Sequence, residues 1–187
     1  PASGLIDERG NLDPFLGGHT DRFSLTGELA TEQWKAMAYA IDYDFSLYSN
    51  FTYLLDDPVN GDQFEQIDKR RIYGTRIDGS TEGRVTVNWG GDIRYDDIGE
   101  VGLHRTVARE RVSTVRTDSV DQVSASAYGE LEFRPAENLR ASIGVRAEYF
   151  SWDVNALLPE NSGSGDDTLL SPKVNLAYRV NESMELY

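Results

Sequence analysis

The chain has 187 residues, 39% of them hydrophobic, with 18 Lys+Arg against 32 Asp+Glu and a formal net charge of −14. No apolar run approaches the ~18 residues of a helical membrane span, and the acidity excludes a nucleic-acid binder, which needs a basic footprint. The absence of Cys excludes disulfides, thiol catalysis and thiolate metal sites, and 11% aromatic residues are too many for a disordered acidic chain.

Hydrophobic alternation with period two predicts strands along the whole chain. Phe23, Leu25 and Leu29 alternate with Ser24, Thr26 and Glu28. From 35 to 48, Met37, Tyr39, Ile41, Tyr43, Phe45 and Leu47 share one face, and Ala38, Ala40, Asp42, Asp44, Ser46 and Tyr48 the other. A weaker strand spans 71–78, and Val85, Val87 and Trp89 mark the next. Further strands follow through Val123–Phe133, Leu139–Tyr149 and Lys173–Val180, and Met184-Glu185-Leu186 opens another. The expectation is an all-β, antiparallel up-and-down meander of seven to eight strands. The chain begins at Pro1 without a signal segment and ends on that opening strand, so it reads as a piece of a longer chain.

The connections are expected to alternate. Short turns fall near 31–33, 79–82, 135–138 and 181–183; long polar loops fall near 49–70, 91–118 and 153–168. At the hairpin around Pro135, pairing Phe133 with Leu139 also sets Glu132 against Arg140, Ala127 against Val145 and Tyr128 against Gly144. A slip by two residues would keep the same faces.

The alternation fits a soluble half-buried sheet or a membrane barrel. Three features favour the barrel. Several patterns reach the ~9–11 residues of a bilayer-crossing strand. Trp34, Trp89 and Phe133 near one end, with Tyr149, Phe150 and Trp152 near the other, suit two interfacial belts. The polar face mixes carboxylates, guanidinium groups and small residues, as a hydrated lumen would.

Four phrases in order resemble the TonB-dependent outer-membrane receptors. They are Ser49-Asn50-Phe51-Thr52-Tyr53-Leu54-Leu55-Asp56-Asp57-Pro58, continuing to Gln66; Asp92 to Leu103; Pro135-x3-Leu139-x4-Gly144-x-Arg146-x-Glu148-Tyr149; and Leu170-Ser171-Pro172-Lys173 with Leu176 to Arg179. The resemblance implies that 1–187 is part of a large transmembrane β-barrel domain, with the family's plug domain and energy-coupling box absent. It implies residence in the outer membrane of a Gram-negative-type cell, among lipid and lipopolysaccharide. It also implies import of a scarce small solute such as a siderophore or other metal chelate, driven by the TonB energy-transducing protein through the plug.

Candidate site residues divide into two groups. Arg105, Arg109 and Arg111 make 104–116 locally basic, and with Asp56 and Asp57 they are candidates to hold a ligand, because Arg presents a fork matched to anions. Asp42, Asp44, Glu130, Glu132, Arg140, Arg146 and Glu148 are expected to line a lumen. The acidic stretch from Asp56 to Glu65 lacks calcium-loop spacing. His19 and His104 lie far apart, and no nucleophile elbow or phosphate loop occurs. No cofactor, metal or enzymatic activity is expected. A soluble β-sandwich holding carbohydrate on its long loops is the alternative reading, and a carboxylate-dependent β-sheet hydrolase a third.

Overall fold

The computed structural model describes residues 13–187; what was read from the chain's first residues lies outside them. Eight strands follow one another: β1 Gly17–Ala30, β2 Trp34–Ser49, β3 Phe64–Thr81, β4 Thr86–Val107, β5 Glu110–Ala136, β6 Leu139–Ala156, β7 Gly163–Asn181 and β8 Met184–Leu186. Each pairs antiparallel with its sequence neighbour, giving one sheet in the order β1 to β8. The meander expected from the alternation is therefore observed.

The connections differ from expectation. Residues 50–63 form a true loop, and 157–162 contain a single 3-10 turn at Pro159–Asn161. The long loop expected at 91–118 is instead the body of β4 and β5, joined by a turn of Ala108 and Arg109 at positive φ (50° and 70°). Residues 64–70 and 163–168 are likewise strand. These stretches carry polar residues on both faces, so their period-two signal vanishes although the ladder continues.

Register assigns the faces, because directly opposed residues project to the same side. One face carries Leu25 and Leu29, then Ala36, Ala38 and Ala40, Tyr73 and Ile77, and Trp89, Ile93 and Tyr95. It continues through Ala125, Leu131 and Phe133, Ile143, Val145 and Tyr149, to Leu170, Val174 and Tyr178. On β5 this apolar band runs from Val123 to Phe133, about the 9–11 residues needed to cross a bilayer. Towards the loop end it stops at a row pairing Tyr73 with Tyr95. The next row on that face runs Asp42, Arg71, Asp97, Asp121, Asp153.

The opposite face is charged and carries a repeated motif. Residues two apart on a strand share a face, and ion pairs form at that spacing: Arg76–Asp78 (2.6 Å), Arg94–Asp96 (2.6 Å), Arg146–Glu148 (2.9 Å), Arg70–Asp68 and Arg116–Asp118. Strand β2 runs against the pattern. Its large residues, Met37 to Leu47, lie on this charged face, and its small and acidic residues lie on the apolar one. Alternation separates two faces within a strand; only pairing with β1 and β3 decides which neighbours each face joins.

At the β5–β6 hairpin Phe133 opposes Ala141, Glu132 opposes Ser142 and Ala127 opposes Ala147. This is two residues from the expected register and keeps its faces. The turn is Glu137–Asn138, tighter than the four-residue turn read from the sequence, and the pairing is irregular between Phe133 and Ala136.

Large aromatic side chains lie over glycines directly across the ladder. A Cβ added at Gly74 would fall 2.2 Å from Tyr39 Cζ, at Gly79 2.4 Å from Trp89 Cζ2, and at Gly90 2.5 Å from Tyr128 Cε1. The missing side chain gives each ring a flat seat on the backbone. Gly90 is also 2.7 Å, by the same construction, from the Ile77 carbonyl, whereas Gly129 has no atom within 4 Å. Gly90→Val is expected to destabilise the folded sheet by roughly 1–3 kcal/mol through overpacking. Gly129→Ala is expected to change it by less than about 0.5 kcal/mol. Urea titration of the refolded, detergent-held receptor measures both.

Candidate functional site

Loop 50–63 is organised by two of its own carboxylates. Asp62 accepts the backbone N–H groups of Leu55 (2.8 Å), Asp56 (3.0 Å) and Asp57 (2.7 Å). Asp57 accepts those of Val59 (3.0 Å) and Asn60 (2.9 Å) and the Asn60 amide (3.0 Å). Gly61 closes the loop at φ +86°, a conformation L side chains rarely adopt. Hydrogen bonds to the charged form hold both carboxyls below the usual aspartate value of 3.8; the Asp56 N–H acts most strongly on Asp62, and the Asn60 N–H on Asp57.

The loop shields a cavity of about 330 Å³ whose wall includes Asp56, Asp57, Asp62, Phe64, Leu103 and Arg105. The sheet therefore brings together three expected ligand residues: Asp56, Asp57 and Arg105. Arg105 is exposed and forms no ion pair among the described residues. Asp57 is turned largely to holding its own loop.

Arg109 and Arg111 do different work. Arg109 donates from Nε to the Phe15 carbonyl (2.8 Å) and from Nη2 to the Leu16 carbonyl (3.0 Å). Its guanidinium lies 5.1 Å from the Tyr48 ring centroid, and its backbone N–H donates to Gln63 Oε1 (2.8 Å). Arg111 pairs with Glu65 (2.5 Å), which is 4% exposed and also accepts the Ser46 and Tyr48 hydroxyls (both 3.0 Å). These two arginines tie the segment before β1, β2, β3 and β5 together.

Gln63 and Glu65, the polar centre of this knot, were not among the site residues expected from the sequence, where Glu65 figured only in the rejected calcium-loop stretch. Gln63 accepts the Thr106 hydroxyl (3.0 Å) and donates to Asp13 (3.0 Å), which also accepts the Asn50 amide (3.0 Å). Their partners lie far away in sequence, so no local spacing marks them. His104 is buried, with Nδ1 3.1 Å from the Thr114 hydroxyl and Nε2 3.9 Å from Glu100. It has no contact with His19.

The expected lumen residues divide between faces. Glu130, Glu132, Arg140, Arg146 and Glu148 share the charged face. There Lys173 pairs with Glu130 (2.9 Å), and Arg146 bridges Glu148 (2.9 Å) and Asp92 (3.3 Å). Arg140 lies opposite Ala177 and 4.0 Å from Glu185, not against Glu132. Asp42 and Asp44 lie on the other face, beside Arg71 (3.5 Å) and Lys69 (3.7 Å), because β2 enters the sheet with its faces reversed.

Arg111→Ala is expected to cost roughly 1–3 kcal/mol, since it leaves the buried Glu65 carboxylate short of a donor. Arg105→Ala should stay within about 0.5 kcal/mol; chemical denaturation separates them. The depressed Asp57 and Asp62 values stabilise the loop fully above pH 3.8 and lose that contribution as pH falls through the lower folded values. Amide exchange at Leu55, Asp56 and Asp57 should therefore be protected near neutral pH and accelerate below pH 3.8 beyond the intrinsic trend. Asp62→Asn should abolish most of that protection at every pH.

The model of the family described as TonB dependent receptor-like, beta-barrel, matches residues 2–187. A search of curated proteins finds no match. Among solved structures, a chain titled Copper transporter OprC superposes with a TM-score of 0.65 at 17% identity, over 90% of this chain and 29% of that one. At that identity the likeness concerns the fold, and this chain spans under a third of the transporter's length. The family match, the eight-stranded meander and its two chemically distinct faces agree: this chain belongs to the TonB-dependent receptor family, as part of the transmembrane β-barrel.

Proposed function

We propose that the protein containing this sheet imports a scarce small solute across the outer membrane of a Gram-negative-type cell. The observation that carries this reading is the apolar band that ends at the Tyr73–Tyr95 row and is followed by the Asp42–Arg71–Asp97–Asp121–Asp153 row. Apolar side chains suit hydrocarbon, tyrosines suit the interface, and charges suit the hydrated headgroup zone. The charged face, with Glu130, Glu132, Arg140, Arg146 and Glu148, then lines the lumen. Asp42 and Asp44 look outward, at the level of lipid or lipopolysaccharide headgroups.

Residues 1–187 form part of the barrel wall in this reading, and a plug domain lies elsewhere in the parent chain. Energy comes from the TonB protein of the inner membrane, acting through that plug. A siderophore-type metal chelate is the first solute to test, and Arg105 with Asp56 is the wall segment expected to meet it. Among the described residues Arg105 has no ion-pair partner, and its planar donor fork suits an anionic chelate.

In the intact parent protein, Val145→Arg should cost about 2–4 kcal/mol or prevent insertion, as a charge facing mid-bilayer lipid. Ser124→Arg, on the charged face, should be accepted. The readout is recovery in urea-washed outer membranes with a cold-gel mobility shift on heating. Uptake of a radiolabelled ferric siderophore panel, lost when TonB is deleted and weakened by Arg105→Ala, tests the transport reading. A freely soluble parent protein with no mobility shift would sink it.

A further inference from the structure

Two places on the charged face hold apolar side chains among charges. At the first, Phe150 and Trp152, expected in the membrane belt, lie on that face, and Tyr149 alone of the trio joins the apolar band. The second is the cavity of about 330 Å³ under loop 50–63. Phe64 and Gln66 share the face of Asp68 and Arg70 by the parity of β3, and register places Arg105 and Leu103 opposite them. The cavity therefore lies on the side assigned to the lumen.

Two irregularities of the ladder build its apolar wall. Leu103 and His104 oppose Arg116 and Thr114, and Arg105 and Thr106 oppose Ser113 and Arg111. Val115 and Val112 are left without an opposite residue, and both line the cavity beside Phe64 and Leu103. A bulge of this kind bends its strand and re-aims a side chain. Val112 is 61% exposed and Val115 48%, so the wall is open apolar surface rather than filled core.

The same wall carries Asp56, Asp57, Asp62 and Arg105. Asp57 and Asp62 each accept three N–H groups of their own loop. The Asp56 and Arg105 side chains are exposed and, among the described residues, form no ion pair with each other or with any other group. Opposite charges thus line one apolar cavity without neutralising each other.

This arrangement selects among ligand classes. A wholly apolar ligand would strip water from Arg105 and Asp56 and supply no partner. A simple anion would meet Arg105 but also three carboxylates, and a simple cation would bring like charge to Arg105. A molecule with one group of each sign suits both. Its carboxylate takes the guanidinium fork, and its ammonium takes Asp56, where the two loop carboxylates add to the attraction. An apolar body between them covers Phe64, Leu103 and the two valines. A peptide with free ends carries these three features in this order, and the volume is at the small end of ligand sites.

We infer that the wall under loop 50–63 binds a short apolar peptide, its α-carboxylate on Arg105, its α-ammonium on Asp56 and its side chains against Phe64, Val112 and Val115. This peptide site rests on the lumen reading for its access route and deepens it with a solute class for the same wall segment. It does not require any metal chelate to be the solute.

The purified full-length receptor, in a nonionic detergent, is titrated by calorimetry with leucyl-leucine and trileucine, and with the same peptides N-acetylated or C-amidated. At least one free peptide should bind. Amidation and Arg105→Ala should each weaken it roughly tenfold or more, and together no further, because both remove one contact. N-acetylation and Asp56→Asn should behave alike. Unchanged cold-gel mobility certifies that each variant is folded.

Absence of binding by both free peptides would overturn the site. So would equal binding of doubly blocked peptides, losses from Arg105→Ala and amidation that multiply, or triglycine binding as tightly as trileucine. Uptake by cells is scored separately. Peptide binding in a receptor that imports neither peptide nor ferric siderophore would remove the transport reading and leave the site standing. TonB-dependent uptake of a ferric siderophore with no peptide binding would do the reverse.

Discussion

The cross-strand hydrogen-bond ladder, with its register, is the constraint on which this molecule depends. A globular domain can tolerate a displaced strand if its core still fills. Here the buried apolar side chains among the described residues are Ile67, Ile98, Ala141 and Ala177, too few to anchor a core. What orders the sheet is each backbone group finding its neighbour, which a membrane-spanning structure must achieve internally. Register then decides everything lateral: which rings lie over which glycines, which carboxylates meet which guanidinium groups, and where the apolar band ends.

The same rule explains how a chain of net charge −14 presents a continuous apolar surface. Charge is moved off the band in two ways. On the opposite face, Arg and Asp or Glu alternate at a spacing of two and neutralise each other along one strand. On the band's own face, carboxylates collect in a row beyond the tyrosines, where Asp97, Asp121 and Asp153 are direct neighbours. Like charges opposed across a ladder are unfavourable, and open water or ions can relieve them where hydrocarbon could not.

The loop end obeys different physics. Beyond the band polar residues occupy both faces, and buried hydrogen bonds join the few buried apolar contacts of Ile67 and Ile98 in holding the strands. Glu65 gathers Ser46, Tyr48 and Arg111, and Gln63 gathers Thr106, Arg109 and Asp13. A buried carboxylate with three donors is stable only while all three are present. This ties the loop end together, and among the described residues it leaves Arg105 as the arginine of the basic cluster without an ion pair. A hydrogen-bonded frame with one arginine outside its ion pairs differs from the long polar loop expected at 91–118.

Much was determined by the sequence alone. Strand type, strand number, antiparallel order and the separation of two faces all follow from period-two alternation and local turn chemistry, and local rules are written in neighbouring residues. The family followed from four phrases in order. What only the tertiary structure decided were the non-local matters. Strand β2 alternates perfectly, yet which of its faces joined the apolar band depended on pairing with β1 and β3, so Asp42 and Asp44 parted from Glu130 and Arg146. Phe150 and Trp152 looked like belt aromatics from their place near a strand end, and one residue of parity put them among carboxylates. The segment 91–118 read as a loop because polar residues break up its alternation, although its ladder continues, with register shifts after Ile98, Leu103 and Arg105, to the turn at Ala108. Alternation is a property of one strand and register a property of two, so the second could not be read from the first.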